Sequence, residues 1–210
     1  MTLAQMTSTS LEPGLTLGEL GAELASLGAR LTGDPGVRII DVRHDSRRGV
    51  PGDLFAARSG GQSDGTSFVR DSVARGARAV MIQRGTALPD VRVPIIEVPD
   101  VRLAVAFAAE AVHHHPSRSV SVVGITGTNG KTSVAYLLEA LLRQMGLVTG
   151  LSSTAARHIG DEVSVPSRLT TPEASELHAL LARMRESEAR AVVVEVSAQA
   201  LSYNRVSGIV

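Results

Sequence analysis

Val120-Ser121-Val122-Val123-Gly124-Ile125-Thr126-Gly127-Thr128-Asn129-Gly130-Lys131-Thr132-Ser133 passes from an apolar run through two loop glycines into Lys-Thr. Residues 120–125 read as a buried strand of a parallel sheet. From Lys131 to Met145, Leu137, Leu138, Leu141 and Leu142 mark a helix with an apolar face. Strand, glycine loop and helix in that order hold phosphate for a physical reason. Glycines let backbone N–H groups turn toward phosphate oxygens, and the helix adds its positive end. Lys131 supplies a point charge to the β- and γ-phosphates, and the Thr132 hydroxyl suits Mg2+. Gly127, Thr128, Asn129, Gly130, Lys131, Thr132 and Ser133 are therefore candidate ATP-binding residues, with ATP and Mg2+ the implied cofactors. The longer form of this pattern has another glycine where Ile125 stands, so only the shorter form, TGTNGKT, is present.

Downstream, Leu147 to Leu151 predicts a strand, and 157–165 a hairpin turning at Gly160-Asp161. Thr171 is placed to cap a helix with Pro172 at its first position, and Leu177, Leu180, Leu181 and Met184 line its buried face. Ala191 to Val196 reads as another buried strand. Glu195 lies inside it, where a carboxylate is costly unless a cation or hydrogen bonds compensate. Its place near the strand's carboxyl end makes Glu195, with Thr132, a candidate metal ligand, and with Lys131 a candidate catalytic residue. The alternative is a glutamate facing solvent from an edge strand. Strands alternating with helices imply a mostly parallel sheet with right-handed crossovers.

Upstream, residues 1–14 are rich in Ser and Thr without periodicity and read as a flexible tail. Thr16-Leu17-Gly18-Glu19 is a capping box, followed by Leu17, Leu20, Leu24 and Leu27 at helical spacing. Strands are expected at 37–42, 53–57, 77–83 and 95–98, with turn chemistry at 45–52 and a helix at 68–75. Asp100 can cap a helix running to His113-His114-His115, which Pro116 stops. A boundary near Pro116–Ser117 gives an α/β domain at 15–116 and a second at 117–210.

Composition narrows the classes. Phe55, Phe68, Phe107, Tyr136 and Tyr203 are the only aromatic residues, so the core rests on aliphatic side chains. Net charge is +0 and no basic run occurs, so neither nucleic acid nor an anionic membrane is indicated. The absence of cysteine excludes disulfides and thiolate chemistry. No apolar stretch approaches the roughly 20 residues of a membrane span, and the N-terminus lacks a signal peptide's order; a cytoplasmic protein is expected.

TGTNGKT resembles the Mur ligase family of ATP-dependent amide-bond ligases. Asp45-Ser46-Arg47, Pro51-Gly52-Asp53-Leu54-Phe55 and Asp64-Gly65 resemble the uridine-binding domain of its tripeptide-forming branch. Thr170-Thr171-Pro172-Glu173-Ala174, Glu195-Val196-Ser197 and Arg205 resemble its substrate and metal motifs. The resemblance runs from Leu15 to Val210. It implies a small uridine-binding α/β domain followed by the first half of a phosphate-loop ATPase domain. It also implies a ligase adding the third amino acid, diaminopimelate or lysine, to UDP-N-acetylmuramoyl-L-alanyl-D-glutamate through an acyl phosphate. Ser46 and Gln62 would lie by the uridine diphosphate; Thr170, Thr171, Ser197 and Arg205 would hold the diphosphate, sugar or peptide. Gln199 stands where the family usually has His, and Leu169 where it usually has Asn. Family members continue for about as many residues again, so this chain is expected to be an N-terminal portion that does not turn over alone.

Other readings stay open: another ligase of the superfamily (folylpolyglutamate or cyanophycin synthetase-like), a non-catalytic nucleotide- or UDP-sugar-binding module, or a small-molecule kinase. Consecutive residues on a helix diverge by about 100°, so His113, His114 and His115 read as a solvated helix end rather than a metal site. Asp41, Asp45 and Asp53 read as turn formers. Oligomeric state is not legible.

Overall fold

The computed structural model describes residues 14–58, 64–164 and 169–210. The expected tail, Gly14 apart, and Gln62 lie outside the described residues. In chain order the first part contains β1 (Leu15–Thr16), α1 (Leu17–Glu23), β2 (Arg30–Thr32), β3 (Arg38–Ile39), β4 (Asp41–Arg43), β5 (Asp53–Ala57), α2 (Val69–Ala74), β6 (Ala79–Gln83), β7 (Ile95–Val98) and α3 (Val101–Val112).

Thr16 and Glu19 form the expected capping box, and Asp100 caps α3 through the N–H groups of Arg102 and Leu103. Strands β4, β5, β6 and β7 run parallel in that order, and β2 adds antiparallel beside β7. Leu54 and Ala56 pack with α1 and α3, whereas Phe55 and Ala57 pack with α2. Successive residues thus enter opposite cores, which is why β5 is apolar throughout. Residues 37–42 do not form one strand. They divide at Ile40 into β3, which pairs with β1, and β4, which pairs with β5. β2 was not anticipated, because Arg30-Leu31-Thr32 is too short to establish a period.

The second part contains β8 (Ser121–Ile125), α4 (Lys131–Gln144), β9 (Thr149–Ser152), β10 (Arg157–Ile159), β11 (Glu162–Ser164), α5 (Ala174–Glu186), β12 (Ala191–Glu195) and α6 (Ala198–Ser202). Its sheet has the order β11-β10-β9-β12-β8, with β9, β12 and β8 parallel and the β10–β11 hairpin antiparallel. Every residue of β12 is buried. Val193 faces Ala135 of α4, and Val192 and Val194 face Leu177, Leu181 and Met184 of α5.

Two expectations fail here. β8 is parallel but not buried: it lies at the edge of the described sheet, and Val123 is 38% exposed. α4 packs mainly over β12 and β9, so Leu138 and Leu142 turn inward while Leu137 and Leu141 remain 66% and 57% exposed. α5 also begins later than expected. Glu173 occupies the cap position, Pro172 precedes it, and the Thr171 hydroxyl is engaged elsewhere.

The two parts touch along α3 and α5, and Ala174 enters the core of the first part. Arg48 pairs with Glu176, and Arg58 Nη1 donates to Glu173 Oε2 at 2.7 Å. Arg185 Nη1 donates to the His113 and His114 carbonyls at 3.1 and 3.0 Å. The histidine run is therefore a partly buried joint rather than a solvated end. His113 Nε2 lies 3.3 Å from Asp41 Oδ1, and His115 Nδ1 lies 3.0 Å from Glu110 Oε1. Asp45 and Asp53 do close turns, through the N–H groups of Arg47 and Val50, whereas Asp41 pairs with Arg43. Among the described residues no helix is long and apolar enough to cross a membrane.

Candidate active site

The glycine loop joins β8 to α4. Gly130, the cap of α4, has φ 80°, a left-handed conformation that glycine takes without strain. No atom lies within 4 Å of the Cβ it lacks, so backbone conformation and not space calls for glycine there. Lys131 folds back over the loop and donates from Nζ to the Gly127 carbonyl at 2.8 Å. Thr128, Asn129 and Ser133 are exposed.

Glu195 ends β12 and is fully buried, so the expected cost of its charge needs an answer in the structure. Three donors supply it. Thr132 Oγ1 donates to Oε2 at 3.2 Å, Thr154 N donates to Oε1 at 3.2 Å, and Thr154 Oγ1 lies 3.1 Å from Oε2. The position is the carboxyl end of parallel strands, where ligands of open α/β sheets bind. It is not the edge-strand alternative, because β12 is flanked by β9 and β8. A carboxylate beside a threonine hydroxyl is an oxygen-only donor set, which fits a hard cation such as Mg2+.

The threonine pair divides its work. Thr170 Oγ1 is 3.1 Å from Thr154 Oγ1. The fully buried Thr171 hydroxyl donates to the Glu195 carbonyl at 2.8 Å and accepts from Ser197 N at 3.0 Å. Ser197 in turn caps α6 through the Ala200 N–H. Thr154 was missed from sequence. The signal was Ser152-Ser153-Thr154, hydroxyls directly after a strand. Its meaning depends on the pairing of β9 with β12, which sets Ser152 beside Val194.

Arg205 is nearly buried rather than a surface residue. Nη2 pairs with Glu173 Oε1 at 2.9 Å, Nη1 donates to the Thr171 carbonyl at 3.4 Å, and the guanidinium lies 5.7 Å from the Tyr203 ring centre. Burial pushes the Glu173 carboxyl up, but the charge and hydrogen bond of Arg58, then Arg205, outweigh it and hold the group below its ordinary value. Burial, then the Arg58 charge, lowers His44 against the pull of Glu173 and Glu176. His44, Arg47, Arg48, Leu169, Glu173 and Glu176 line a groove of about 610 Å3 where the two parts meet. Ser46 is buried beside this groove with its hydroxyl toward Asp71, and its contacts do not join the Glu195 cluster. Hydrogen bonds thus draw together Thr132, Thr154, Thr170, Thr171, Glu195 and Ser197; Arg205 joins through Thr171, and Lys131 through the loop.

Residues 38–113 match the Mur ligase family, catalytic domain, and residues 125–210 match the Mur ligase middle domain; the chain belongs to the Mur ligase family. Within it, the chain is 43% identical over 192 residues to the UDP-N-acetylmuramyl-tripeptide synthetase of Leifsonia xyli subsp. xyli, covering 90% of this chain and 37% of that protein. It is 42% identical over 169 residues to the UDP-N-acetylmuramoyl-L-alanyl-D-glutamate–2,6-diaminopimelate ligase of Chlorobium phaeobacteroides, covering 80% and 33%. A solved structure of a ligase of that second name superposes with a TM-score of 0.75 at 21% identity, covering 93% of this chain and 38% of that one, a likeness of fold. The chain spans about a third of these relatives' length, less than the half expected.

Proposed function

We propose that the chain carries the uridine-binding unit (residues 15–116) and the nucleotide-binding unit (residues 117–210) of a cytoplasmic, ATP-dependent ligase of peptidoglycan precursor synthesis. The reaction joins a third amino acid, 2,6-diaminopimelate or lysine, to UDP-N-acetylmuramoyl-L-alanyl-D-glutamate. The substrate carboxylate attacks the γ-phosphorus of ATP, ADP leaves, and an acyl phosphate forms. The incoming amine then attacks the acyl carbon and phosphate departs.

The observation that carries this reading is the Glu195 carboxylate, fully buried yet 3.2 Å from the Thr132 hydroxyl, at the foot of the glycine loop. Lys131, which rests on the Gly127 carbonyl, would supply its charge to the β- and γ-phosphates, and the loop N–H groups would cradle them. Thr132 and Glu195 would hold Mg2+, which when bound neutralises charge between the triphosphate and the attacking carboxylate. Thr170, Thr171, Ser197 and Arg205 sit on the substrate side. Arg205 and the Thr171 hydroxyl act by fixing Glu173 and the 195–197 backbone, with Thr170 the more accessible contact. Ser46 and Gln62 belong to the uridine diphosphate.

Binding of ATP to the 210-residue chain, followed by titration calorimetry, tests the reading. Lys131→Ala should weaken ATP by roughly tenfold to a hundredfold, the cost of charge-assisted hydrogen bonds. Equal affinity in the two proteins would sink the phosphate-loop assignment. Binding of UDP-N-acetylmuramoyl-dipeptide, lost on Ser46→Trp, tests the uridine unit in the same way.

A further inference from the structure

We propose that Thr154 is a positioning residue that sets the Glu195 carboxylate for the nucleotide-bound metal and couples it to Thr170. The inference rests on the nucleotide-site reading above and extends it. Thr154 reaches both carboxylate oxygens, from its N–H to Oε1 at 3.2 Å and from its hydroxyl to Oε2 at 3.1 Å. The same hydroxyl lies 3.1 Å from Thr170 Oγ1. Glu195 accepts from three donors, the Thr154 N–H on Oε1 and the Thr154 and Thr132 hydroxyls on Oε2. A hydroxyl has one proton. With that proton on Glu195, Thr154 must accept from Thr170, and the chain of donors has one direction: Thr170 to Thr154 to Glu195.

That direction has a chemical consequence. The Thr170 proton is spent on Thr154, which leaves the Thr170 oxygen to accept from a ligand's N–H or O–H. Such a ligand strengthens the chain cooperatively and tightens the grip on Glu195. Thr132 likewise spends its proton on Glu195 and keeps its lone pairs for a cation. The Thr154 hydroxyl is not needed to form its own turn. Ser153 Oγ accepts from the N–H groups of Ala155 and Ala156, at 3.1 and 3.0 Å, and donates to the Ala156 carbonyl at 3.0 Å.

Thr154→Val keeps the shape and the N–H but removes the relay; Thr154→Ser restores it. ATP affinity of the 210-residue chain is measured by calorimetry in EDTA and in excess Mg2+. Thr154→Val should lose about tenfold of the Mg2+-dependent gain, the loss of one hydrogen bond to a charged group, and keep its metal-free affinity. Thr154→Ser should return to within about twofold of the parent. Thr170→Val should weaken Mg2+-ATP in the parent and have no further effect in the Thr154→Val background. An unchanged Mg2+ gain in Thr154→Val overturns the proposal. So does an equal loss with and without Mg2+, or additive effects with Thr170→Val. If Lys131→Ala weakens ATP binding while Thr154→Val matches the parent, only this proposal falls. If the parent binds no ATP, the nucleotide reading falls with it.

Discussion

Thr171 illustrates how one hydroxyl can do two jobs in a buried site. It donates to the Glu195 carbonyl and accepts from the Ser197 N–H, bridging the loop before α5 to the turn after β12. Removing it leaves two backbone groups unsatisfied without opening a cavity. Thr171→Val should therefore cost about 1–3 kcal/mol in urea denaturation. A variant as stable as the parent would mean that the bridge is idle. Gly130→Ala provides a contrast: its Cβ meets open space, so only the left-handed backbone at φ 80° resists it. The expected loss is about 1–2 kcal/mol, read from the same denaturation curve.

At the scale of the element, α4 and α5 look alike in sequence, each with a leucine stripe, yet they are buried differently. Leu181 in α5 is fully buried against β12, whereas Leu137 in α4 is 66% exposed. Leu181→Ala should destabilise by about 2–5 kcal/mol, and Leu137→Ala should stay within about 0.5 kcal/mol. Comparable losses in the two variants would contradict the orientation of α4. β8 follows the same logic. Its apolar run is genuine, but burial of a strand is decided by what lies beside and over it. Here β12 pairs with one edge, no described strand pairs with the other, and α4 leans away.

The whole molecule is held at the junction of its two parts by charged groups whose protonation differs from the unfolded chain. Glu173 is held below its ordinary value of 4.5 by Arg58 and Arg205 against the opposing effect of burial. Its contribution is complete above that value and is lost as pH falls through the lower folded value. Burial lowers His178, whose Nε2 lies 2.9 Å from the Ser207 carbonyl, below its ordinary 6.5. The sign is the same: the unfolded chain takes the proton first, so stability falls as pH drops below 6.5 toward the folded value. Urea midpoints between about pH 7.5 and about pH 2.5 should fall first in the histidine range and again below 4.5 in the carboxylate range. His178→Gln, which keeps an N–H for Ser207, should flatten part of the first decline, with buried His44 supplying another part, and Glu173→Gln should flatten part of the second. A first decline unchanged by His178→Gln would place its origin elsewhere.

Much of this protein is legible locally because the relevant physics is local. The capping box at Thr16, the cap at Asp100, the strands at 53–57 and 95–98 and the glycine loop are each set by residues within a few positions. Glu195 was conspicuous because a carboxylate within an apolar run demands compensation. What answers that demand was not legible. Thr132, Thr154 and Glu195 lie on segments that meet only because the sheet order sets β12 between β9 and β8, out of sequence order. The same order decided that β8 is an edge of the described sheet, that Thr171 bridges rather than caps, and that Arg205 turns inward to Glu173. Sequence specified the pieces and their chemistry through short-range propensity and period. Tertiary structure alone decided which donor faces which acceptor, because hydrogen bonds and ion pairs depend on distances that pairing across the sheet creates.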